Sequence, residues 1–270
     1  MSLPQPAAGQ TVLITGASSG IGTELARQLA ALGHGVTLVA RRKEKLDELA
    51  DELRRAHGVE AKVIAADLIA ADSRAQVITD VRSGGDLVVG LCNNAGFGSF
   101  GLYADLDKER ESDMVRLNVL ALHELTGAFV DPMIARGAGA ILNVASIAAF
   151  QPLPNMATYA ATKAFVQSFS EALHAELHGT GVSCTSLCPG PVPTEFGERA
   201  GVGEQESSLP AAATVAPEAV AVAAINGMLK GKRSVIPGPL AKASAFGGRF
   251  VPRSVLLPAT RAAAGRLNKE

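Results

Sequence analysis

Tyr159 and Lys163 are the residues of this chain whose types and spacing best suit acid–base chemistry. If the segment is helical, positions i and i+4 share one face, and both side chains point toward one pocket. A free phenol has a pKa of about 10 and transfers protons poorly near neutral pH. A nearby lysine cation favours the phenolate and lowers that pKa toward the working range. The pair predicts proton transfer to or from a substrate oxygen, although the same spacing also arises by chance on helix surfaces.

A glycine-rich loop occupies residues 15–22, directly after an apolar run that reads as a strand. Glycines there allow a tight turn and close approach of the backbone to a pyrophosphate, and the following helix N-terminus supplies free N–H groups. A structural turn would need fewer glycines and no serines. The loop therefore predicts dinucleotide binding through Gly16, Ser18, Ser19, Gly20, Ile21 and Gly22.

The end of the second predicted strand indicates which dinucleotide is bound. NAD binders usually place a carboxylate about 20 residues after the loop, where it holds the ribose 2′-hydroxyl. Arg41 and Arg42 stand there instead. Guanidinium groups suit the 2′-phosphate, with Arg41 the better candidate and Arg42 readable as a solvated charge. We predict NADP(H) in preference to NAD(H), which stays the alternative.

Short apolar runs alternate with amphipathic helical patterns along the chain, which is typical of a parallel sheet covered on both faces. We predict a Rossmann-type, doubly wound α/β fold of about seven strands. One domain would span residues 1–239 and a tail residues 240–270. Strands are expected at 11–15, 36–40, 61–66, 87–92, 140–145, 182–187 and 234–237. Helices are expected at 22–32, 43–57, 73–83, 114–135, 159–178 and 217–229.

Composition excludes several classes of protein. Of 270 residues, 47% are apolar and 19% are charged, so the chain can bury a sizeable core. A net charge of −1, no tryptophan and 4% aromatic residues argue against a nucleic-acid partner. Cys92, Cys184 and Cys188 form no CxxC and indicate buried, reduced thiols, and the histidines match no metal-ligand spacing. With no secretory pattern in residues 1–10, we predict a cytoplasmic protein without a metal.

From residue 11 to about 237, the chain resembles the short-chain dehydrogenase/reductase family. Residues 15–22 match the TGxxxGxG loop, and residues 93–96 match the NNAG motif. Pro189 and Gly190, followed by Val192 and Thr194, match the segment beside the nicotinamide. The catalytic tetrad of the family is matched, in order and spacing, by Asn118, Ser146, Tyr159 and Lys163.

The resemblance implies a role for each matched residue. Tyr159 would be the general acid in reduction, and Ser146 would polarise the substrate oxygen. Lys163 would also hold the nicotinamide ribose, and Asn118 would hold a water that links Lys163 to solvent. Cofactor contacts are implied for Asp67 and Leu68 at the adenine, for Asn94, Ala95 and Gly96, and for Pro189, Gly190, Val192 and Thr194 near the nicotinamide. An aspartate after a strand is also a common helix cap, so Asp67 has a structural alternative.

The residues expected around the substrate are mostly apolar, and no cationic anchor stands out. They are Ile147, Phe150, Leu153, Met156, Pro191 and Phe196. This favours a lipophilic ketone, aldehyde or acyl-type carbonyl, although the same residues could be plain core. A mobile lid is expected near residues 195–215.

The tail is basic and amphipathic. Its cations are Lys242, Arg249, Arg253, Arg261, Arg266 and Lys269, with phenylalanine and aliphatic residues between them. It could dock on the protein as an extra helix, cover a pocket, pack on a partner subunit or rest on an anionic membrane. The family resemblance implies a homodimer or homotetramer, and small residues along the Tyr159 helix would allow close approach of a partner helix.

Three functions are consistent with the sequence. The leading one is an NADPH-dependent oxidoreductase that reduces a lipophilic carbonyl. The second is an alcohol dehydrogenase working oxidatively on a hydroxysteroid or hydroxyacyl group. The third is a non-catalytic NADP-sensing regulator, which is disfavoured because such a protein should lack a tetrad residue.

Overall fold

A parallel sheet forms the centre of the computed structural model, which describes residues 3–201 and 213–267. Its strands are β1 Gln10–Thr15, β2 Val36–Ala40, β3 Ala61–Ala65, β4 Leu87–Asn93, β5 Gly139–Val144, β6 Val182–Leu187 and β7 Ser234–Val235. They are ordered β3-β2-β1-β4-β5-β6-β7, and all six pairings are parallel. This confirms the predicted doubly wound α/β fold.

Helices connect the strands and cover both faces of the sheet. They are α1 Gly20–Ala31, α2 Lys43–His57, α3 Ala71–Ser83, α4 Lys108–Val115, α5 Leu122–Arg136, α6 Ala157–Glu176, α7 Glu195–Ala200, α8 Pro217–Leu229, α9 Pro239–Phe250 and α10 Arg253–Leu267. Within residues 3–201 and 213–267, none of the helices is both long and apolar enough to cross a bilayer.

The strands are apolar along their whole length because both faces of the sheet are buried. In β1, Val12 and Ile14 pack with α1, α2 and α8, whereas Leu13 packs on the opposite face with α3 and α5. All three side chains are fully buried. Two hydrophobic layers therefore hold the sheet in place. The carboxyl ends of β1 and β4 become rigid supports for the segments that follow these strands.

The predicted helix 114–135 is divided in the structure. Asp107 caps a helix that begins at Lys108, because its carboxylate accepts a hydrogen bond from the Glu109 amide at 2.9 Å. A π-helical segment, Arg116–Ala121, then separates α4 from α5. Such π-turns are frequent at functional sites, and Asn118 lies within this one.

The predicted tail begins with α9, which packs against the domain through its small residues. Ala241, Ala245 and Gly248 are buried, while Phe246 and Phe250 are 67% and 65% exposed. A Cβ placed on Gly190 would lie 3.2 Å from that of Ala241. The start of the tail is therefore docked on the segment that follows β6.

The predicted lid, near residues 195–215, has an ordered first part. Thr194 caps α7 by accepting a hydrogen bond from the Phe196 amide at 3.3 Å. Residues 202–212 of the predicted lid lie outside the described residues. Lys269 and Glu270 of the predicted tail also lie outside them.

Candidate active site

A cavity of about 1040 Å³ lies beyond the carboxyl ends of the strands, beside the β1–β4 boundary where the strand order reverses. Open α/β sheets bind their ligands at such a point. Most of the predicted site residues line it, including Gly16, Arg41, Ser146, Tyr159 and Thr194. Gly22 and Asn118 are the exceptions, because both lie behind the wall and support it.

The glycine loop is packed so closely that side chains would not fit. Gly16 has a φ of +67°, and a Cβ there would lie 2.8 Å from Asn94 Nδ2 and 2.9 Å from Ala95 Cα. A Cβ on Gly22 would overlap the carbonyl oxygen of Gly16. The two glycines therefore let the loop after β1 approach both α1 and the segment after β4.

Thr15 fastens these two segments together, a role that the sequence analysis missed. Its hydroxyl accepts hydrogen bonds from the amides of Asn94 and Ala95, both at 3.0 Å. The Asn94 side chain returns a bond from Nδ2 to the Thr15 carbonyl oxygen at 2.9 Å. Thr15 is the first residue of the predicted loop motif, which is the only signal that could have identified it.

The two arginines after β2 differ in their surroundings. Arg41 is exposed at the edge of the cavity and has no hydrogen bond or ion pair within the described part of the chain. Arg42 is 30% exposed and donates from Nη2 to the Ser18 carbonyl oxygen at 3.0 Å. It also forms an ion pair with Glu195 at 2.9 Å. Arg42 is therefore held in place and is not a freely solvated charge.

Asp67 and Leu68, which were predicted to contact the adenine, line the cavity, and the buried Arg74 supports them. The Asp67 carboxylate accepts from the Ile69 amide at 3.0 Å, so it stabilises a turn before α3 and does not cap that helix. Arg74 donates to the carbonyl oxygens of Leu68 and Ile69 and forms a bidentate pair with Glu124. Arg74 was not predicted, because an arginine on a helix normally indicates a solvated face.

Tyr159 and Lys163 occupy successive turns of α6, and both line the cavity. The Lys163 ammonium lies 5.8 Å from the centre of the Tyr159 ring and donates to the Val144 carbonyl oxygen at 2.8 Å. Burial lowers the pKa of Lys163 from 10.5 to about 8. The ammonium is therefore mainly charged at neutral pH, yet it loses its proton more readily than a surface lysine.

Asn118 lies behind Gly96 and Phe97, next to the Lys163 ammonium. Its Oδ1 accepts from the Phe97 amide at 3.1 Å, and its Nδ2 donates to the Phe97 carbonyl oxygen at 2.9 Å and to Thr162 at 3.1 Å. A Cβ on Gly96 would lie 2.9 Å from Asn118 Oδ1 and 3.6 Å from Lys163 Nζ. Gly96 thus permits the segment after β4 to pass close to both side chains.

Ser146 follows β5 and begins the short 3-10 helix Ile147–Phe150. Its Oγ accepts a hydrogen bond from the Ala148 amide at 3.1 Å. The hydroxyl proton is not used in that bond, so it can be donated into the cavity. Ser146 is 8% exposed, as is Tyr159.

The segment after β6 forms the opposite wall. The Pro189 carbonyl oxygen accepts from the Ile147 amide at 3.0 Å, which joins this wall to the serine segment. Val192 is buried, and the Thr194 methyl lies 2.9 Å from the position of a Cβ on Gly20. Pro189, Gly190, Val192 and Thr194 therefore line the cavity, and Thr194 lies beside the glycine loop.

The substrate side of the cavity agrees with the prediction in part. Phe196 packs on Tyr159 with 5.5 Å between ring centres, and Ile147, Leu153, Met156 and Pro191 also line the wall. Phe150 was wrongly placed there, because it is buried on the far side among Leu122, Val166 and Ala245.

No cationic anchor stands out in the sequence, but two arginines lie at the cavity. Arg110 lies 5.0 Å above the centre of the Phe97 ring and donates to the Arg199 carbonyl oxygen at 2.7 Å, and both arginines line the cavity. They come from α4 and α7, which are far apart in sequence, so no local pattern could bring them together.

Comparison with known proteins identifies the family. The short chain dehydrogenase family profile matches residues 10–205. The chain therefore belongs to the short-chain dehydrogenase/reductase family, which confirms the resemblance found in the sequence.

Two relatives illustrate the similarity. The very-long-chain 3-oxoacyl-CoA reductase of Anas platyrhynchos is 38% identical over 198 residues, which cover 71% of this chain but only 62% of that protein. The sulfoacetaldehyde reductase 2 of Chromohalobacter salexigens is 40% identical over 189 residues, covering 68% of this chain and 73% of that one.

Solved structures extend the likeness over most of the chain. A short-chain dehydrogenase from Sphingobium yanoikuyae in complex with NADPH has a TM-score of 0.80 and 35% identity, covering 88% of this chain and 92% of that one. A structure described for 7beta-hydroxysteroid dehydrogenase stereoselectivity has a TM-score of 0.81 and 29% identity, with coverage of 93% and 95%.

Proposed function

We propose that this protein is an NADPH-dependent reductase of a lipophilic ketone, aldehyde or acyl-type carbonyl. The observation that carries the proposal is the cavity itself. It is lined both by the glycine loop and Arg41 and by Tyr159, Ser146 and apolar side chains. A cofactor and a carbonyl substrate could therefore meet within one cavity.

The residues present fit a dinucleotide. Gly16 and Gly22 let the loop after β1 pack tightly at the N-terminus of α1, a place that favours a diphosphate. Arg41, exposed and unpaired among the described contacts, suits a 2′-phosphate at the end of β2. The NADPH bound by the Sphingobium yanoikuyae relative supports the same preference.

When bound, the nicotinamide would supply the hydride, and the chain would handle the proton. Tyr159 would give its phenolic proton to the substrate oxygen, because it faces the cavity with Lys163 one turn away. Ser146 would donate its hydroxyl proton to the same oxygen. The Ser146 Oγ accepts a hydrogen bond from the Ala148 amide, and that bond leaves the hydroxyl proton available. Lys163 would favour the phenolate and contact the ribose, and Asn118 would position the segment that carries Gly96 and Phe97.

The apolar wall formed by Phe196, Leu153 and Met156 supports a lipophilic substrate. The similarity to a 3-oxoacyl-CoA reductase supports an acyl-type carbonyl in particular. A test is to follow NADPH absorbance with ketones, aldehydes and 3-oxoacyl thioesters of increasing chain length. We expect kcat/KM to rise with chain length, whereas activity only on short polar carbonyls would contradict the substrate class.

Cofactor preference has its own test. Arg41→Ala should weaken NADPH binding by about tenfold or more and leave NADH binding within twofold, because only NADPH carries the 2′-phosphate. Lys43→Ala is a matched control, since Lys43 is an exposed cation nearby that is already paired with Asp47 at 2.6 Å. Equal losses for both dinucleotides in Arg41→Ala would contradict a role at the 2′-phosphate.

The second candidate function is an alcohol dehydrogenase that oxidises a hydroxysteroid or hydroxyacyl group. The 7beta-hydroxysteroid dehydrogenase structure, with its TM-score of 0.81, favours this alternative. Steady-state rates in both directions, measured with matched ketone and alcohol pairs, separate the two functions. A non-catalytic NADP-sensing regulator would show no turnover in either direction.

Association into a homodimer or homotetramer is part of the proposal. Phe165 on α6 is 40% exposed and stacks on Phe169, and Leu120 on the neighbouring helical segment is 43% exposed. Exposed apolar side chains on adjacent helices are typical of subunit contacts. Light scattering of the wild type and of Phe165→Ser tests this, and a monomeric wild type would contradict it. A cytoplasmic location stays a prediction.

A further inference from the structure

Glu195, the first residue of α7, lies among three cations. Its carboxylate pairs with Arg199 at 2.6 Å, with Arg42 at 2.9 Å and with Lys45 at 3.0 Å. The hydrogen bond from Lys45, together with the Arg42 guanidinium, holds the pKa of Glu195 below its usual value. The side chain is 36% exposed, so a ligand in the cavity could reach it. Glu195 is therefore an anion fixed at the edge of the cofactor cleft.

The donors of Arg42 divide between the glycine loop and this carboxylate. Nε and Nη2 donate to the Ser18 hydroxyl at 3.3 and 3.2 Å, and Nη2 also donates to the Ser18 carbonyl oxygen. Nη1 makes no bond to the loop and donates to Glu195 instead. Because Nε and Nη2 are bonded to Ser18, Nη1 is the donor that a 2′-phosphate would share with Glu195, so the two anions compete for this guanidinium.

Ser18, Arg41, Arg42 and Glu195 line the same end of the cavity. Arg41 has no ion pair within the described contacts, so it can receive a phosphate without exchange. Arg42 can receive one only by sharing Nη1 with the carboxylate or by giving up its bonds to Ser18. A fixed carboxylate also repels a phosphate placed beside it, whereas the 2′-hydroxyl of NADH carries no charge to repel.

We propose that Glu195 is a cofactor-specificity residue whose carboxylate competes with the 2′-phosphate of NADPH for Arg42. The inference rests on the proposed function, since it assumes that the cleft holds NADPH. On binding, Arg42 exchanges one anion for another, and Glu195 keeps Lys45 and Arg199 as partners. Glu195 thus lowers the affinity for NADPH and leaves the affinity for NADH nearly unchanged.

The test is to titrate Glu195→Gln with NADPH and NADH, following the fluorescence of the reduced nicotinamide. The amide keeps the size of the side chain and removes its charge. We expect the Kd for NADPH to fall about fivefold and the Kd for NADH to change less than twofold, which is the scale of a partly exposed ion pair. The gain should shrink when the ionic strength is raised from 0.05 to about 0.5 M, because salt screens the charges.

Asp47→Asn is the matched control. This substitution also removes one negative charge, but from α2. The Asp47 carboxylate pairs with Lys43, and no contact with Arg42 is found among the described residues. Both Kd values should stay within twofold of the wild type. An equal gain for NADPH in Asp47→Asn would attribute the effect to net charge and overturn the assignment.

A double-mutant cycle with Arg42→Gln tests whether Glu195 changes the NADPH affinity through Arg42. In the Arg42→Gln background, Glu195→Gln should no longer improve NADPH binding by the full factor. An undiminished gain would overturn competition for Arg42. Weaker binding of both dinucleotides in Glu195→Gln would also overturn it, because Glu195 would then be a clamp that closes the cleft.

Failure of the proposed function is visible separately. A wild type that binds neither reduced dinucleotide refutes the proposed function, and this assignment falls with it. A wild type that binds NADPH, combined with a Glu195→Gln variant that changes neither affinity, refutes this assignment alone.

Discussion

Replacing Lys163 by methionine should stabilise the protein at neutral pH while it abolishes the proposed activity. Burial lowers the pKa of this lysine from 10.5 to about 8, so keeping the ammonium charged costs the folded state about 3 kcal/mol at pH 7. Methionine has a similar length and carries no charge. It loses the hydrogen bond to the Val144 carbonyl oxygen, which stabilises by about 1 kcal/mol. The net gain should be about 2 kcal/mol.

The stability gained by Lys163→Met should decrease as the pH rises. Between pH 8 and 10.5 the unfolded chain keeps the Lys163 proton that the folded chain has released. The unfolded state then binds more protons, so the stability of the wild type rises with pH across this window. Methionine does not titrate. Its advantage should be fully present below about pH 8, narrow above it and disappear near pH 10.

The assay is urea unfolding followed by circular dichroism, because the chain has no tryptophan. Wild type and Lys163→Met are compared at one protein concentration, at pH 7 and again near pH 9.5. Lys43→Met is the control, since its side chain is 61% exposed and should change the free energy of unfolding by less than about 0.5 kcal/mol at either pH. A Lys163→Met variant less stable than the wild type at pH 7 would refute the reasoning, as would a difference that does not change with pH.

Three further perturbations test other parts of the site. Tyr159→Phe should reduce turnover by about a thousandfold, measured as NADPH oxidation, and leave NADPH affinity within twofold, because it removes only the proton donor. Gly22→Ala should abolish NADPH binding, since its methyl overlaps the Gly16 carbonyl oxygen, whereas Gly127→Ala on α5, with open space around it, should stabilise by up to about 1 kcal/mol in urea unfolding. Arg74→Met should cost about 3 kcal/mol of stability, because it deprives the Leu68 and Ile69 carbonyl oxygens of their donor and breaks the pair with Glu124. Unchanged unfolding in Arg74→Met would show that this arginine does not support the loop at Leu68 and Ile69.

The sheet was predictable because burial on both faces makes its strands continuously apolar. β2 and β6 have the predicted limits, and β1, β3, β4 and β5 differ from theirs by one residue at an end or at both. β7 ends two residues earlier than predicted, at Val235. An edge strand pairs on one side only, so its limits depend on a single neighbour and leave a weaker pattern.

The helical region around Asn118 was predicted less well. Apolar periodicity begins near Met114, so the charged first turn from Lys108 was overlooked, although Asp107 followed by Glu109 and Glu111 is a readable start signal. The π-helical segment leaves no comparable signal, since its residues are ordinary helix formers. It arises from packing against neighbouring elements, which a local pattern does not contain.

The candidate site was predictable where residues lie next to a motif and unpredictable where charges meet across the fold. The glycine loop, Ser146, Tyr159 and Lys163 are all fixed by local motifs and order along the chain. Arg42 and Glu195 are 153 residues apart, and Arg74 and Glu124 are 50 apart. Ion pairs of this kind depend on how α2 faces α7 and how α3 faces α5, and only the assembled sheet determines that.

The π-helical segment at Arg116–Ala121 adds one residue to a helix that otherwise runs continuously from α4 into α5. Deleting a single residue there would restore the regular α-helix. The residues before the deletion would then be rotated by about 100° about the helix axis relative to those after it. The amide of Asn118 would then swing away from Phe97 and Thr162, although no chemical group at the site had been altered. The length of this stretch is therefore as strict a requirement as its composition, and homologues compared at these positions should tolerate substitutions far better than gaps.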